Sequence, residues 1–215
     1  MTEFVDSFGI YVTSSALASQ ASLVTRWNAL GGGDGSIGVY AGIGSRGNPA
    51  LKIPFGDVLA KTHSHQATYT AGMRAQLNGS LGNVGGGTLH TFYNNGTELA
   101  TLRVNDDGTL MIIAGGLLGN VVCLSTLALL SNVFYYIEWT ATVSGSSNLN
   151  IAGQIWVNGI SVASGNSNSG VNVTSLTSQT ATFNRTLMEA GMATPGNVVI
   201  QDYYLNNGSG ATNLI

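Results

Sequence analysis

Groups able to do acid–base, metal or nucleophilic chemistry are few in this sequence: ten acids, seven basic residues, three histidines and one cysteine in 215 residues. A pair of carboxylates could divide the work of acid and nucleophile. Glu138, however, stands alone on its segment, followed by Trp139, Thr140 and Ala141. Asp106 and Asp107 are adjacent, but they sit in Asn105-Asp106-Asp107-Gly108, where their ordinary role is to make a turn. With Asp34, in a glycine-rich stretch, they are the acids best placed to ligate calcium, and solvated turn residues explain all three as simply. His63 and His65 are two apart, so an extended chain points both to one side, and with His90 they could hold a metal. Nothing in the sequence brings His90 to them and Lys61 opposes a cation, so polar loop or edge histidines are the simpler reading. Cys123, between Val122 and Leu124, reads as a buried inert thiol and rules out an internal disulfide. Neither Gly31–Gly35 nor Gly85–Gly87 leads into the lysine and helix of a phosphate loop, and no nucleophile elbow occurs. No cofactor and no metal are expected.

Tyrosines are the other resource. Tyr135-Tyr136 and Tyr203-Tyr204 are pairs, so on a strand one ring of each turns outward, while Tyr93 and Tyr40 lie near loops. An outward ring among Asn and Ser can stack on a sugar, or it can fill a core or a subunit contact. Tyr93, Tyr136 and Tyr203 are the candidates for a glycan or subunit contact.

Composition narrows the field. Charged residues make up 8% of the chain, against roughly 25% for an average soluble protein. Seven lysines and arginines nearly exclude a phosphate-tracking surface, so no nucleic-acid partner is expected. The first residues, Met1 to Phe8, lack the basic and apolar regions of a secretory signal. The most apolar stretch, Leu117 to Leu130, is interrupted by Gly119, Asn120, Ser125 and Thr126, and no membrane span is expected. A mean hydropathy of +0.22 with so few charges suggests apolar surface buried between chains.

The elements that must position these groups are short alternating segments between Gly/Asn/Ser turns, the pattern of a sandwich or barrel. Strands are expected over Phe4–Val12, Leu51–Phe55, Thr68–Leu77, Thr88–Tyr93, Thr97–Val104, Thr109–Ala114, Val133–Val143, Ile151–Val157, Ile160–Ala163 and Asn197–Leu205. Pro49 and Pro54 suggest that the second is an edge. Asn158-Gly159 is a strong hairpin turn, because both residues must take positive φ. On the clearest strand Tyr135, Ile137, Trp139, Ala141 and Val143 share one face, and Phe134, Tyr136, Glu138, Thr140 and Thr142 the other. Residues 14–21, with Ser14 as a cap, and 184–190 read as the two helical stretches; Gly165–Gly170 reads as a polar loop. Core candidates are Trp27, Leu102, Val104, Leu110, Ile112, Ile137, Trp139, Ile155 and Val157. No repeat or linker divides the chain, so 1–215 is expected to be a single domain.

Several segments carry a resemblance. Leu102-Arg103-Val104-Asn105-Asp106-Asp107-Gly108-Thr109-Leu110, then Phe134-Tyr135-Tyr136-Ile137-Glu138-Trp139, then Val157-Asn158-Gly159 resemble the strand–turn–strand, "W/F-Y-Y-I-E" and "V-N-G" run of concanavalin A-like (laminin-G-like) jelly-roll domains. Asp202-Tyr203-Tyr204-Leu205 with the following glycine-rich loop, and the opening Asp6-Ser7-Phe8, are similar to the same domains, so the likeness spans most of residues 4–210. It implies an all-β, concanavalin A-like jelly-roll β-sandwich of two antiparallel sheets with one or two short helices. The Glu-x-Asp-x-Glu strand of glucanases with this fold is absent, as is the acidic cluster of its metal-binding lectins.

The variant resembled is the one associated with bacteriophage virion proteins. It implies a non-enzymatic virion structural protein, first of all a capsid decoration (cement) protein, assembled in the host cytoplasm and located in the virion. Its partners would be other virion proteins, a major capsid or tail protein, and further copies of itself, with a trimer ranked first. The alternative is a carbohydrate-binding tail or fibre protein that meets a host-surface glycan. The family's last loop leads to a further strand, whereas this chain stops at Ile215, so its final edge is expected to be open to a neighbouring chain.

Overall fold

The computed structural model describes residues 2–8, 11, 16–32, 37–78, 87–116, 119–172, 174, 176, 180–190 and 196–208. Among the described residues, fifteen strands, one α-helix and the 3-10 turn Ser45–Gly47 are delimited. In chain order they are β1 (Thr2–Asp6), α1 (Ala16–Leu23), β2 (Ala29–Gly32), β3 (Gly38–Tyr40), the 3-10 turn Ser45–Gly47, β4 (Ala50–Pro54), β5 (Asp57–Gln66), β6 (Thr68–Asn78) and β7 (Gly87–Asn94). Then follow β8 (Thr97–Val104), β9 (Thr109–Ala114), β10 (Asn120–Ala128), β11 (Phe134–Ser144), β12 (Asn148–Val157), β13 (Ile160–Asn172), β14 (Phe183–Glu189) and β15 (Asn197–Asn207). An eight-stranded sheet runs β13-β12-β11-β6-β15-β4-β3, with β1 also on β15, and a seven-stranded sheet runs β10-β9-β8-β7-β14-β5-β2. Every pairing is antiparallel, so the jelly-roll β-sandwich expected from the sequence is the fold.

Alternation builds the core between the sheets. All nine core candidates are at most 2% exposed. Trp139 of β11 stacks on Phe92 of β7 at 4.5 Å between ring centroids, joining the middles of the two sheets. His90 is fully buried beside them, with Nε2 2.6 Å from Thr186 Oγ1 and 3.0 Å from the Tyr203 hydroxyl. The hairpin turns form as their residues demand: Asn158 and Gly159 take φ of 51° and 79°, and Asn95 takes 48°.

Several expectations are corrected. The 184–190 segment is a strand, β14, because it lies between β5 and β7 and both ladders require it extended. The polar run Gly165–Gly170 continues β13 along β12 instead of forming a loop. Gly165 is there because β10 packs against it: a Cβ would strike the Val122 carbonyl. β4 is not an edge, since it pairs with both β15 and β3, and Pro54 only ends it. β15 is not open either: it lies between β6 and β4, with β1 alongside. The first strand stops at Asp6, where the chain turns with Phe8 at φ 55°. Strands β2, β3, β5 and β10 are not among those the sequence predicts. The helix is α1, while its proposed cap Ser14 lies outside the described residues.

Candidate functional site

The outward face of the eight-stranded sheet gathers the polar and aromatic groups. Antiparallel register aligns them in rows. One row is Trp156 (β12), Glu138 (β11), Gly72 (β6) and Tyr204 (β15). The next is Tyr136 (β11), Arg74 (β6) and Asp202 (β15). On the other side come Gln154, Thr140, Thr70 and Asn206, then Ala152, Thr142 and Thr68. Alternation along β11 therefore sends Tyr136, Glu138, Thr140 and Thr142 to this face, while Ile137 and Trp139 enter the core.

Glu138 is the centre of this face. It is 1% exposed, and its Oε2 accepts from the hydroxyls of both Tyr136, at 3.0 Å, and Tyr204. The Tyr136 and Tyr204 hydroxyls are 3.1 Å apart. The other oxygen, Oε1, is buried and has no hydrogen-bond partner among the described residues. Burial drives both phenols well above the ordinary tyrosine range, and the neighbouring carboxylate adds to it. Both rings are consequently neutral proton donors at every physiological pH. Tyr136 is half-buried and reaches solvent; Tyr204 is buried. Asp202 titrates above its usual value because it is partly buried, with Arg74 opposing the shift.

Beside this cluster lies the open part of the face, a groove of about 460 Å³. Its described lining is Thr140 and Thr142 of β11, Ala152, Gly153, Gln154 and Trp156 of β12, and Ser164, Gly165 and Asn166 of β13. Trp156 is half-buried, whereas Trp27 and Trp139 are core residues. Thr140 and Thr142 are held by Thr70 and Thr68 through hydroxyl contacts of 2.7 and 2.9 Å, and Gln154 Nε2 donates to Ser161 Oγ at 2.9 Å. The floor is thus fixed, and its rim offers hydroxyls and amides that both donate and accept. Hydroxyl groups around a flat aromatic ring are the complement of a sugar.

The three tyrosines proposed from the sequence do not share a place. Tyr136 is on this face. Tyr203 is 1% exposed and points inward, against Trp27 at 5.4 Å and Phe4 at 6.2 Å. Tyr203 is therefore corrected to a core residue: a register shift between Ile200 and Asp202 makes Tyr204 the outward member of the pair. Tyr93 is on the seven-stranded sheet, donating to Glu98 at 2.9 Å with Arg185 over its ring. Trp156, Glu138 and Tyr204 were missed as a set; the outward alternation of β11 places Glu138 beside Tyr136, but the register with β6, β12 and β15 is not written in any one segment.

The other chemical candidates stay apart. His63 packs on the Tyr69 ring at 4.2 Å, His65 touches Thr182 at 3.0 Å and Asn184 at 3.3 Å, and His90 is in the core. Asp107 Oδ1 accepts from the backbone and hydroxyl of Thr109, as a turn residue does. Asp34 lies outside the described residues.

No protein-family model matches the sequence, and no curated protein matches it. Solved structures do match by shape. The alginate lyase of polysaccharide lyase family 14 from Aplysia kurodai has a TM-score of 0.66 at 11% identity, over 97% of this chain and 100% of that one. The cellulose induced protein Cip1 has a TM-score of 0.64 at 13% identity, over 98% and 100%. The alginate lyase Aly36B has a TM-score of 0.57 at 16% identity, over 95% and 96%. At these identities the likeness establishes a shared jelly-roll β-sandwich.

These findings overturn two expectations. The reading as a capsid decoration protein is corrected: the structures named here that share the fold are alginate lyases and a cellulose induced protein, and they give a virion role no support. The reading as a chain without enzymatic activity is corrected on the same ground, since alginate lyases stand among them, one of them solved with an alginate trisaccharide.

Proposed function

We propose that this protein binds a polysaccharide along the groove over β11, β12 and β13. The observation that carries the reading is the groove itself: Trp156, the tryptophan outside the core, beside Thr140, Thr142, Gln154, Ser164 and Asn166 on a fixed sheet. Trp156 supplies the stacking surface, and the hydroxyls and amides receive the ring substituents. Rigid strands hold both, so little ordering cost opposes binding. Co-sedimentation with insoluble cellulose, xylan and arabinan, with affinity gels for soluble polymers, tests it. Retention by at least one polysaccharide is the expected result; passage through all of them refutes the reading.

A second reading, cleavage of a uronate polymer by β-elimination, is favoured by Arg74 lying in the same row as Tyr136. A guanidinium there would neutralise a sugar carboxylate; the Tyr136 phenol, held neutral, would give its proton to the departing oxygen and the resulting phenolate would take the proton lost from C5, so that the C4–O bond breaks as the C4–C5 double bond forms. The alginate lyases of the same fold make alginate the first polymer to try. Ultraviolet absorbance of the unsaturated product, with Tyr136→Phe as the control, checks it.

A further inference from the structure

We infer that the groove takes uncharged sugar residues and rejects a homopolyuronate such as alginate; this rests on the binding reading above. The inference comes from where the positive charges are. The chain has seven lysines and arginines, and all of them are among the described residues. None of the described residues lining the groove carries a charge.

Arg26 is committed elsewhere, 3.7 Å from Asp6, and Lys61 donates to the Arg26 carbonyl and sits over the Phe4 ring. Arg103 and Arg185 belong to β8 and β14 of the opposite sheet. Arg46 is in the turn before β4, and Lys52 is on β4 itself, at the far side of the eight-stranded sheet from β13. Arg74 is on β6, next to β11 but outside the groove, and it faces Asp202 in register.

A carboxylate on each successive sugar would lose part of its hydration here without a cation to meet it, which weakens binding relative to a neutral sugar. A neighbouring acid adds to this. Glu138 lies directly opposite Trp156, and its Oε1 has no hydrogen-bond partner among the described residues. A polyuronate would bring further negative charge beside it. Neutral sugars carry hydroxyls that donate and accept alike, and the lining answers in kind: Ser164 and Asn166 are exposed on β13, with Gln154 and Thr142 half-buried beside them. The charge that suits polyuronates is missing from the groove, while everything that suits a neutral glycan is present.

Intrinsic fluorescence tests this on the intact chain, because Trp27 and Trp139 are buried and Trp156 alone of the three faces solvent. Emission is titrated with neutral cello-, xylo- and arabino-oligosaccharides, and separately with alginate and polygalacturonate oligosaccharides. At least one neutral series should shift the emission, with an affinity that high salt leaves unchanged, and the uronates should bind about tenfold more weakly or worse. Ser164→Lys, a substitution at an exposed position, should raise alginate affinity by about tenfold. Uronates that bind as well as the neutral series, or better, overturn the neutral class and leave the binding reading standing. No response to any glycan overturns both.

Discussion

Gly72 and Tyr204 face each other across β6 and β15, and the missing side chain of the one makes room for the ring of the other. A Cβ on Gly72 would come within 2.5 Å of Tyr204 Cζ and 2.9 Å of the Tyr136 hydroxyl. The bare backbone of β6 is what lets a tyrosine on each flanking strand lean over it, so that both hydroxyls meet the same oxygen of Glu138. Gly72→Ala is therefore expected to displace both rings. The cost should be about 1–3 kcal/mol from overpacking, read from denaturant unfolding. Loss of the phenols from Glu138 should also appear as a changed tyrosine environment in near-ultraviolet circular dichroism. A variant as stable as the parent with an unchanged spectrum would show that the rings do not cross Gly72.

His90 gives the fold a pH dependence of definite sign. Burial lowers its pKa from 6.5 to about 3, with His63 adding to the shift. The unfolded chain binds this proton below pH 6.5 and the folded one does not, so stability is complete above 6.5 and falls as the pH drops toward 3. The slope is about 1.4 kcal/mol per pH unit, so unfolding at pH 5 should cost about 2 kcal/mol less than at pH 7. His90→Gln should flatten this slope, even though it lowers stability by disturbing the contacts to Thr186 and Tyr203. Equal slopes in the two proteins would contradict the assignment.

Cys123 is buried against the β9 ladder, and burial pushes its thiol up to about 11. It should ignore a disulfide reagent at pH 8 in the folded protein and react promptly in denaturant. Rapid reaction in the native state would place the thiol at the surface.

How much of this could be read from the sequence depends on whether the signal was local. Period-two alternation over Val133–Val143 assigned both faces of β11, including Glu138 beside Tyr136, because both sides of a strand are visible in one segment. Asn158-Gly159 announced its hairpin for the same reason. β13 was cut short because Gly165, Asn166 and Ser167 favour turns in isolation; pairing with β12 decides otherwise. β14 read as a helix until its two neighbours were known. The sequence suggests Tyr203 as a contact residue, but the register shift before Asp202, which is invisible without β6, turns it inward. The groove has the same limit: Trp156, Thr140 and Ser164 come from three strands, and their adjacency is a property of the sheet.

The functional error has a related origin. Scarce charge with a positive mean hydropathy suggests apolar surface buried between chains, which favours a structural role. The groove instead ranges Thr140, Thr142, Gln154, Ser164 and Asn166 around Trp156, the arrangement on which the proposed polysaccharide binding rests.

The measurement that bears most directly on the account is calorimetric titration of the wild-type protein and Trp156→Ala with whichever polysaccharide retains the wild type. Loss of the aromatic platform should weaken binding by about tenfold or more, roughly 1.4 kcal/mol, while the unfolding midpoint barely moves, since Trp156 lies outside the core. Undiminished affinity in Trp156→Ala would move the binding site away from the groove, and a wild type that takes up no polysaccharide would contradict the account altogether.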